Sequence, residues 1–549
     1  MANDHQGSPG TWEILPSPSK RPVGDTGTPN SRMIHAPASG GVGDESRTQR
    51  WYRQAKETKC GETGGRESER LIVPSSQGNR PEGPWGGKGT PSHEPSEGNM
   101  TGTPRPETVS TKRGRVAELA RDCPDMAFTN LAHHIDIEWL HMAYVQTRKD
   151  GAVGVDGQTA EVYEANLMAN LQDLLNRAKS GTYVAPPVRR VHIPKAGSPH
   201  ETRPLGIPTF EDKILQRAVL MVLEPVYETD FLDVSHGFRP GRGAHGALDA
   251  LWKRAMKLGG DWIVDVDLRK FFDTIDHGHL REFLKRRVRD GVILRLIGKW
   301  LNAGVLEEGV LTNPEAGTPQ GGVVSPLLSN LFLHYVLDEW FEQEVRPRLK
   351  GEAFLIRYAD DFVIGVARED DAERIMAVLP KRMSKYGLTV HPEKTRLVRF
   401  APPESSSSKP KDLRPQVPET FDFLGFTHYW GRARWGGWVV KRKTAKGRLK
   451  RALQALSNWC EENLHRPIEE QYQKLKQKLL GHYGYYGITG NFFSLQEFLE
   501  GARETWKRWL SRRRRDGQMP WNEFLRLEKR YRLPAARVVH SVLSGAAKS

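Results

Sequence analysis

Arg357-Tyr358-Ala359-Asp360-Asp361 sets two adjacent carboxylates between two apolar runs, Phe354-Leu355-Ile356 before them and Phe362-Val363-Ile364 after. The pattern predicts a β-hairpin with the acids at its tip. Adjacent acids repel each other and lose hydration when confined, so a strand-flanked acidic turn calls for a compensating cation. A divalent metal ion is the simplest one. A second acidic strand end occurs at Asp265-Val266-Asp267, where strand alternation puts both acids on one face. Bringing Asp267 beside Asp360 and Asp361 builds an oxygen-rich site for a hard cation, and magnesium suits such a set. Two ions about 4 Å apart serve an in-line phosphoryl displacement.

The rest of the composition fits a nucleic-acid partner. The chain has 549 residues, a formal net charge of +15 and a pI near 9.5. That balance favours a polyanionic partner, although passive basic proteins share it. Cys60, Cys123 and Cys460 are far apart, which argues against a disulfide scaffold or a structural zinc site and fits a reducing compartment. The first residues lack the basic and apolar segments of a signal peptide, and no run is apolar enough to span a bilayer. A bacterial cytoplasm or an organellar nucleic-acid compartment fits these features, whereas secretion and a membrane partner do not.

Residues 1–115 are rich in Gly, Pro, Ser, Thr and charge without periodicity, and are expected to form a disordered extension. Order is expected from near Met126, with Phe128, Leu131 and Ile135 at helical spacing. One helix is predicted over 161–178 and another over 214–226. Strands are predicted over 188–193, 262–266, 388–390 and 395–400. A helix is expected from Ser325, an exposed loop over 401–419, a glycine-turned hairpin over 421–440, and helices from Lys441 onward. The fold class is therefore α+β.

Arg357-Tyr358-Ala359-Asp360-Asp361 resembles the Tyr-x-Asp-Asp motif of reverse transcriptases, and the stretch from Asp267 to His277 resembles their first acidic motif, in the variant of the group II intron-encoded reverse transcriptase/maturases. Gly317-Thr318-Pro319-Gln320-Gly321-Gly322 followed by Ser325-Pro326-Leu327-Leu328-Ser329-Asn330 resembles the next palm motif. The resemblance covers about 126–535. It implies a right-hand polymerase: fingers and palm over 116–430, with an antiparallel sheet and helices, then a helical thumb and maturase domain X over 431–549. It implies catalysis by Asp267, Asp360 and Asp361, with Leu268 joining these acids around two Mg2+ ions, or Mn2+ in their place.

Further roles follow from the same resemblance. Lys195 and Arg203 fall where the family binds triphosphate, and Gln320 faces the nascent base pair. Phe272 stands where a bulky side chain selects deoxynucleotides; by itself it reads equally well as a core residue beside Phe271. Lys394 in His391-Pro392-Glu393-Lys394-Thr395 falls where a cation meets the leaving pyrophosphate, or is an exposed turn lysine. Arg239 in Ser235-His236-Gly237-Phe238-Arg239 is expected to face the template, and Leu424-Gly425 to grip the primer.

In the C-terminal part, Lys441, Arg442 and Lys443 open a basic run that fits a phosphate backbone. The block from Leu479 to Gly487 resembles domain X. Its Tyr485 and Tyr486 either stack on RNA bases or pack between helices. Arg512 and Arg513 add a basic face. Cysteine pairs do not follow this block, so no His-Asn-His endonuclease of the family's type is expected. The implied function is RNA-directed DNA polymerase and intron maturase in a mobile element. The implied partners are group II intron RNA, an RNA template, a DNA primer or target, and dNTPs. The oligomeric state is left open, a dimer included. The rival readings are a splicing cofactor with vestigial polymerase activity and a retron or defence-type reverse transcriptase.

Overall fold

The computed structural model describes residues 108–194, 202–259, 261–307, 309–312, 316–317, 321–403, 419–514 and 517–540. In chain order its strands are β1 (Val188–Pro194), β2 (Thr202–Ile207), β3 (Asp261–Val266), β4 (Val305–Glu307), β5 (Val310–Thr312), β6 (Ala353–Tyr358), β7 (Asp361–Val366), β8 (Arg396–Phe400), β9 (Phe421–Phe423), β10 (Phe426–Arg432) and β11 (Trp438–Thr444). They form three sheets of order β2-β1-β4-β5, β6-β7-β3-β8 and β11-β10-β9. The second and third are antiparallel throughout, while β1 and β4 run parallel in the first. Mixed helix and antiparallel sheet is the architecture expected of a polymerase palm.

The central sheet is buried on both faces, which is why β6 and β7 read as unbroken apolar runs. Val264, Val266, Leu355, Phe362 and Ile364 join the larger core, with the helix Phe210–Tyr227 running through it. Ile263, Phe354, Ile356, Val363, Val398 and Phe400 join a second core with Phe421, Phe423, Phe426 and Trp430 from the third sheet and with the helix Ala244–Leu258. The side chains alternate between the two cores along each strand, as a period of two demands. A third core fills the C-terminal helices Lys446–Glu462, Ile468–Tyr486, Phe492–Ser511 and Trp521–Arg530 around Leu479, Tyr483, Trp506 and Phe524.

Several expected boundaries move. A helix at Val109–Asp122 precedes Met126, with Thr108 as its N-cap. Phe128 instead makes an isolated bridge to Val288, and the first helix after it is Ile137–Gln146, capped by Asp136. The helix predicted over 161–178 is two, Ala160–Glu164 and Leu167–Ser180. Val390 makes only a bridge, to Leu268. Lys441, Arg442 and Lys443 belong to strand β11, because Trp438 to Thr444 pairs in register with β10, and the helix starts at Lys446. The helix from Ser325 continues as a π-helical turn over His334–Asp338. Most of the 1–115 extension and of the 401–419 loop lies outside the described residues. Among the described residues no helix is long and apolar enough to cross a membrane.

Candidate active site

Strands β6 and β7 pair from Ala353↔Val366 to Tyr358↔Asp361, so Ala359 and Asp360 form a two-residue turn. Ala359 takes φ +57°, a left-handed conformation that non-glycine residues seldom adopt. Gly237 lies directly behind it. A Cβ on Gly237 would stand 2.4 Å from the Ala359 nitrogen, so only glycine admits this approach.

Sheet register brings in the third acid. Val266 pairs with Phe362 across β3 and β7, so Asp267, one residue on, comes opposite Asp361. Asp265, Asp267 and Asp361 share a face by alternation. The backbone of Asp267 is pinned on its far side, where its carbonyl accepts the His391 N–H at 2.8 Å. The N–H of Arg269 meets the Thr389 carbonyl at 2.8 Å. Leu268 is therefore the non-hydrogen-bonded partner of Val390, and its own carbonyl points away from that segment.

The electrostatics record the crowding. Asp361 is pushed up to about 6, first by loss of hydration and then by Asp360, Asp267 and Asp265, with Arg448 pulling it down. Its side chain is nonetheless exposed at the end of β7. Asp360 is also raised, chiefly by desolvation and further by Asp267, with Arg203 and Arg357 opposing. Asp265 is raised by burial, although Arg396 donates to it at 3.0 Å. Lys394 Nζ stands 3.6 Å from Asp267.

These donors fit a hard divalent cation: all are carboxylate oxygens, and their mutual repulsion is what a cation relieves. Among the described residues, no three acidic, His or Cys side chains are drawn together at metal-ligand spacing. Like charges without a cation have no reason to close further.

Other expected residues fall into three groups. Arg203, paired with Ile193 in the β1–β2 hairpin, lies within the field of Asp360. Lys394 lies against Asp267, and Leu268 follows Asp267 in the chain. Phe272 is half-buried, edge-on to Phe271 with ring centres 5.3 Å apart. Gly317 is fastened beside it, its N–H to the Ile275 carbonyl at 2.8 Å and its carbonyl to His277 Nε2 at 2.6 Å. Lys441 and Lys443 alternate outward on β11, Lys443 over the Tyr429 ring at 5.3 Å, and Arg512 lies over Trp509 at 4.3 Å. Arg513 is exposed and donates to the Arg466 carbonyl at 3.1 Å. Lys195 and Gln320 lie outside the described residues.

Four expected nucleic-acid contacts are engaged within the protein instead. Arg239 is buried, ion-paired with Glu228 at 3.0 Å and donating to the carbonyls of Leu232 and Ser235. Arg442 is buried and donates to the Leu248 carbonyl at 3.2 Å. Tyr485 and Tyr486 are half-buried against Phe426. The Tyr485 hydroxyl donates to the Leu424 carbonyl at 2.8 Å. Leu424 and Gly425 form a two-residue turn between β9 and β10, with φ +50° and +82°. The tyrosines thus hold the turn that was expected to grip the primer, and the buried arginines brace backbone carbonyls. Arg396 was not anticipated. Continuing the alternation of Val398 and Phe400 back along β8 puts it on the acidic face.

The comparisons agree with this geometry. The model of the family described as reverse transcriptase (RNA-dependent DNA polymerase) matches residues 193–428. Protein YkfC of Escherichia coli (strain K12) is 35% identical over 288 residues, which cover 47% of this chain and 75% of that protein. Group II intron-encoded protein LtrA of Lactococcus lactis subsp. cremoris is 38% identical over 224 residues, 40% of this chain and 36% of LtrA. A COX1/OXI3 intron 1 protein of Saccharomyces cerevisiae is 29% identical over 309 residues, 47% of this chain and 36% of that protein. The chain belongs to the reverse transcriptases, in their group II intron-encoded reverse transcriptase/maturase branch. It spans three quarters of YkfC and about a third of the intron-encoded relatives. Enzymes of this family use divalent metal ions and act on nucleic acid.

Proposed function

We propose that this protein is an RNA-directed DNA polymerase that also serves as the maturase of a group II intron. The observation that carries the reading is the register that sets Asp267 opposite Asp361 at a hairpin tip bearing Asp360. Asp267, Asp360 and Asp361 hold two Mg2+ ions, with the Leu268 carbonyl as a further oxygen donor. Bound there, the ions activate a primer 3′-hydroxyl and neutralise charge on the triphosphate. Arg203, together with Lys195, offsets charge on the incoming dNTP. Lys394, already beside Asp267, is placed to donate a proton to the departing pyrophosphate. Phe272 forms the wall under the sugar, and Gln320 borders the nascent pair.

The assignment of domains follows the same reading: fingers and palm over 116–430, thumb and domain X over 431–549, preceded by the 1–115 extension. The outward-facing Lys441, with the exposed Lys443, Arg512 and Arg513, contacts intron RNA and the template–primer backbone. Intron RNA is bound as a structural partner whose folding the protein assists, and the polymerase copies it after insertion.

Replacing Asp360 and Asp361 together by Ala tests the polymerase. Primer extension on an RNA template is expected to vanish while binding and splicing of the host intron persist. Extension that survives the double substitution refutes the assignment of these acids. Intron RNA bound no better than random RNA of equal length refutes the maturase.

A further inference from the structure

The turn that carries Asp360 is held from beneath by a buried polar network far larger than a two-residue hairpin requires. Arg357, the residue before Tyr358, is fully buried. Its Nε donates to one carboxylate oxygen of Asp338 at 2.7 Å and its Nη2 to the other. Its Nη1 donates to Asn330 Oδ1 at 2.9 Å and to the Ala359 carbonyl at 3.0 Å. Asn330 in turn donates from Nδ2 to the Gly237 carbonyl at 2.7 Å. Gly237 is the residue whose Cα presses on the Ala359 nitrogen. The Arg357 backbone closes the frame, its N–H meeting the Val234 carbonyl at 2.8 Å and its carbonyl the His236 N–H at 2.9 Å.

Two chain segments therefore converge on Ala359 of the turn. Asn330 comes from the helix Ser325–Leu333, Asp338 from the π-helical turn that follows, and Gly237 from the loop after Val234. The extra residue in a π-helical turn rotates the side chains beyond it, and such turns recur at functional sites. Here the turn ends on Asp338, whose side chain is 0% exposed.

Stability alone does not account for such a network. A buried ion pair pays for its desolvation, and an apolar replacement of similar volume is often as stable or more so. What an apolar replacement cannot do is bond the Ala359 carbonyl and hold Ala359 at positive φ. Reacting groups must be held within roughly 0.5 Å for efficient chemistry, and that need matches rigid support behind an acid-bearing turn.

We infer that Arg357, Asp338 and Asn330 are positioning residues for the acidic turn, fixing where the Asp360 and Asp361 carboxylates stand relative to Asp267. The inference rests on the polymerase reading of those acids. It assigns a role to Asn330 and Asp338, which lie behind the turn and reach it through Arg357 and Gly237.

The test is Asn330→Ala, which leaves the Arg357–Asp338 pair in place. Two readouts separate positioning from folding: the extension rate per active site, counted by burst titration, and the Mn2+ dissociation constant, read from the electron paramagnetic resonance of free Mn2+. The rate per site is expected to fall roughly ten- to hundredfold, the size of loss that small misplacements cause. Mn2+ binding is expected to weaken by roughly fivefold, about 1 kcal/mol at RT near 0.6 kcal/mol, while affinity for the primer–template duplex stays unchanged. A merely structural residue lowers the titrated number of sites and leaves the rate per site alone. Unchanged rate per site together with unchanged Mn2+ binding overturns the inference. Should Asn330→Ala not fold, Asp338→Asn keeps the side-chain shape and is read in the same two assays with the same expectations. If the wild-type chain does not extend primers, the polymerase reading has failed, and the Mn2+ measurement alone still decides whether the network places the carboxylates.

Discussion

Asp212 gives a quantitative test of how the segment beside the acids is held. It lies in the helix Phe210–Tyr227, is 2% exposed, and accepts hydrogen bonds from Trp300 Nε1 at 2.7 Å, Gln216 Nε2 at 3.1 Å and the Tyr183 hydroxyl. Gln216 passes the support on, its Oε1 accepting the N–H of Val323 at 2.7 Å and of Val324 at 3.4 Å. Those residues follow Gly321, which packs so closely on the Gly206 carbonyl that an added Cβ would stand 2.3 Å from it. A buried carboxylate thus anchors the segment after Gly321 to the core.

Burial raises the Asp212 carboxyl from 3.8 to about 6, with its three donors opposing and Glu211 adding repulsion. Lys213 is the nearby cation in its field. The native state therefore binds the proton more tightly than the unfolded chain. Below the unfolded value both states are protonated and burial of the acid carries no charge penalty. Between 3.8 and about 6 the unfolded chain ionises first, so stability falls as pH rises. Above that window the whole penalty is present, and the separation of the two values corresponds to about 3 kcal/mol.

Asp212→Asn stays neutral at every pH and can still accept from Tyr183 and Trp300. Its amide meets the Gln216 amide, which costs an offset that does not vary with pH. Urea unfolding of wild type and variant from about pH 4 to about pH 7 reads the difference, provided the slope with urea is common to both. The variant is expected to gain about 2.4 kcal/mol on the wild type across that range, because the unfolded carboxyl is already partly ionised at its acid end. A difference that stays constant with pH refutes the buried, proton-holding Asp212.

Two further outcomes separate bracing from binding. Tyr485→Phe removes the hydroxyl that holds the Leu424 carbonyl but keeps the ring against Phe426. It is expected to weaken productive use of the primer terminus by roughly fivefold, the worth of one hydrogen bond of about 1 kcal/mol, with intron RNA affinity in filter binding unchanged. Loss of RNA affinity instead would place the Tyr485 hydroxyl on the RNA. Arg239→Met breaks a pair whose arginine side chain is 3% exposed and whose glutamate is 23% exposed. About 3 kcal/mol of stability should go in denaturant unfolding, because Glu228 and the carbonyls of Phe231, Leu232 and Ser235 lose their donor. The salt dependence of RNA binding should not change, since no phosphate contact is removed; a shallower slope would place Arg239 on the nucleic acid.

The sequence was most readable where one rule of periodicity governed. Alternation in β3, β6 and β7 put the apolar side chains on two cores and left Asp265, Asp267 and Asp361 on a shared face, as the hairpin reading required. It failed where a residue type was read without its neighbours. Arg442 stands in a basic run between Lys441 and Lys443, yet alternation along β11 turns it inward while the two lysines face out. Arg239 and Arg357 look like surface cations in a +15 chain, but both are buried, Arg239 on Glu228 and nearby carbonyls and Arg357 on Asp338 and Asn330. Glu228, Asp338 and Asn330 carry no local signal that names an arginine as their partner. Helix starts were misplaced for a related reason. Thr108 and Asp136 are ordinary N-caps, and the apolar spacing of Phe128, Leu131 and Ile135 outweighed them although those residues pack as a loop.

The charge of this protein therefore does two different jobs that composition cannot separate. One set of arginines is buried, each neutralised by an acid or by carbonyl dipoles, and contributes nothing to the field a polyanion meets. The other set is oriented by the acids themselves: Arg203 acts on Asp360, Lys394 on Asp267, Arg396 on Asp265 and Arg448 on Asp361. Each acid of the site is thus answered by a cation from a different element, namely the β1–β2 hairpin, the turn before β8, β8 itself and the first C-terminal helix. None of these contacts neutralises the cluster outright, since Asp361 is still pushed up to about 6. A site arranged in this way keeps its affinity for a divalent ion, and it presents positive charge around its rim to an approaching polyanion. Full neutralisation from within would abolish the first property. Leaving the acids unanswered would abolish the second, because their uncompensated charge would repel the substrate phosphates.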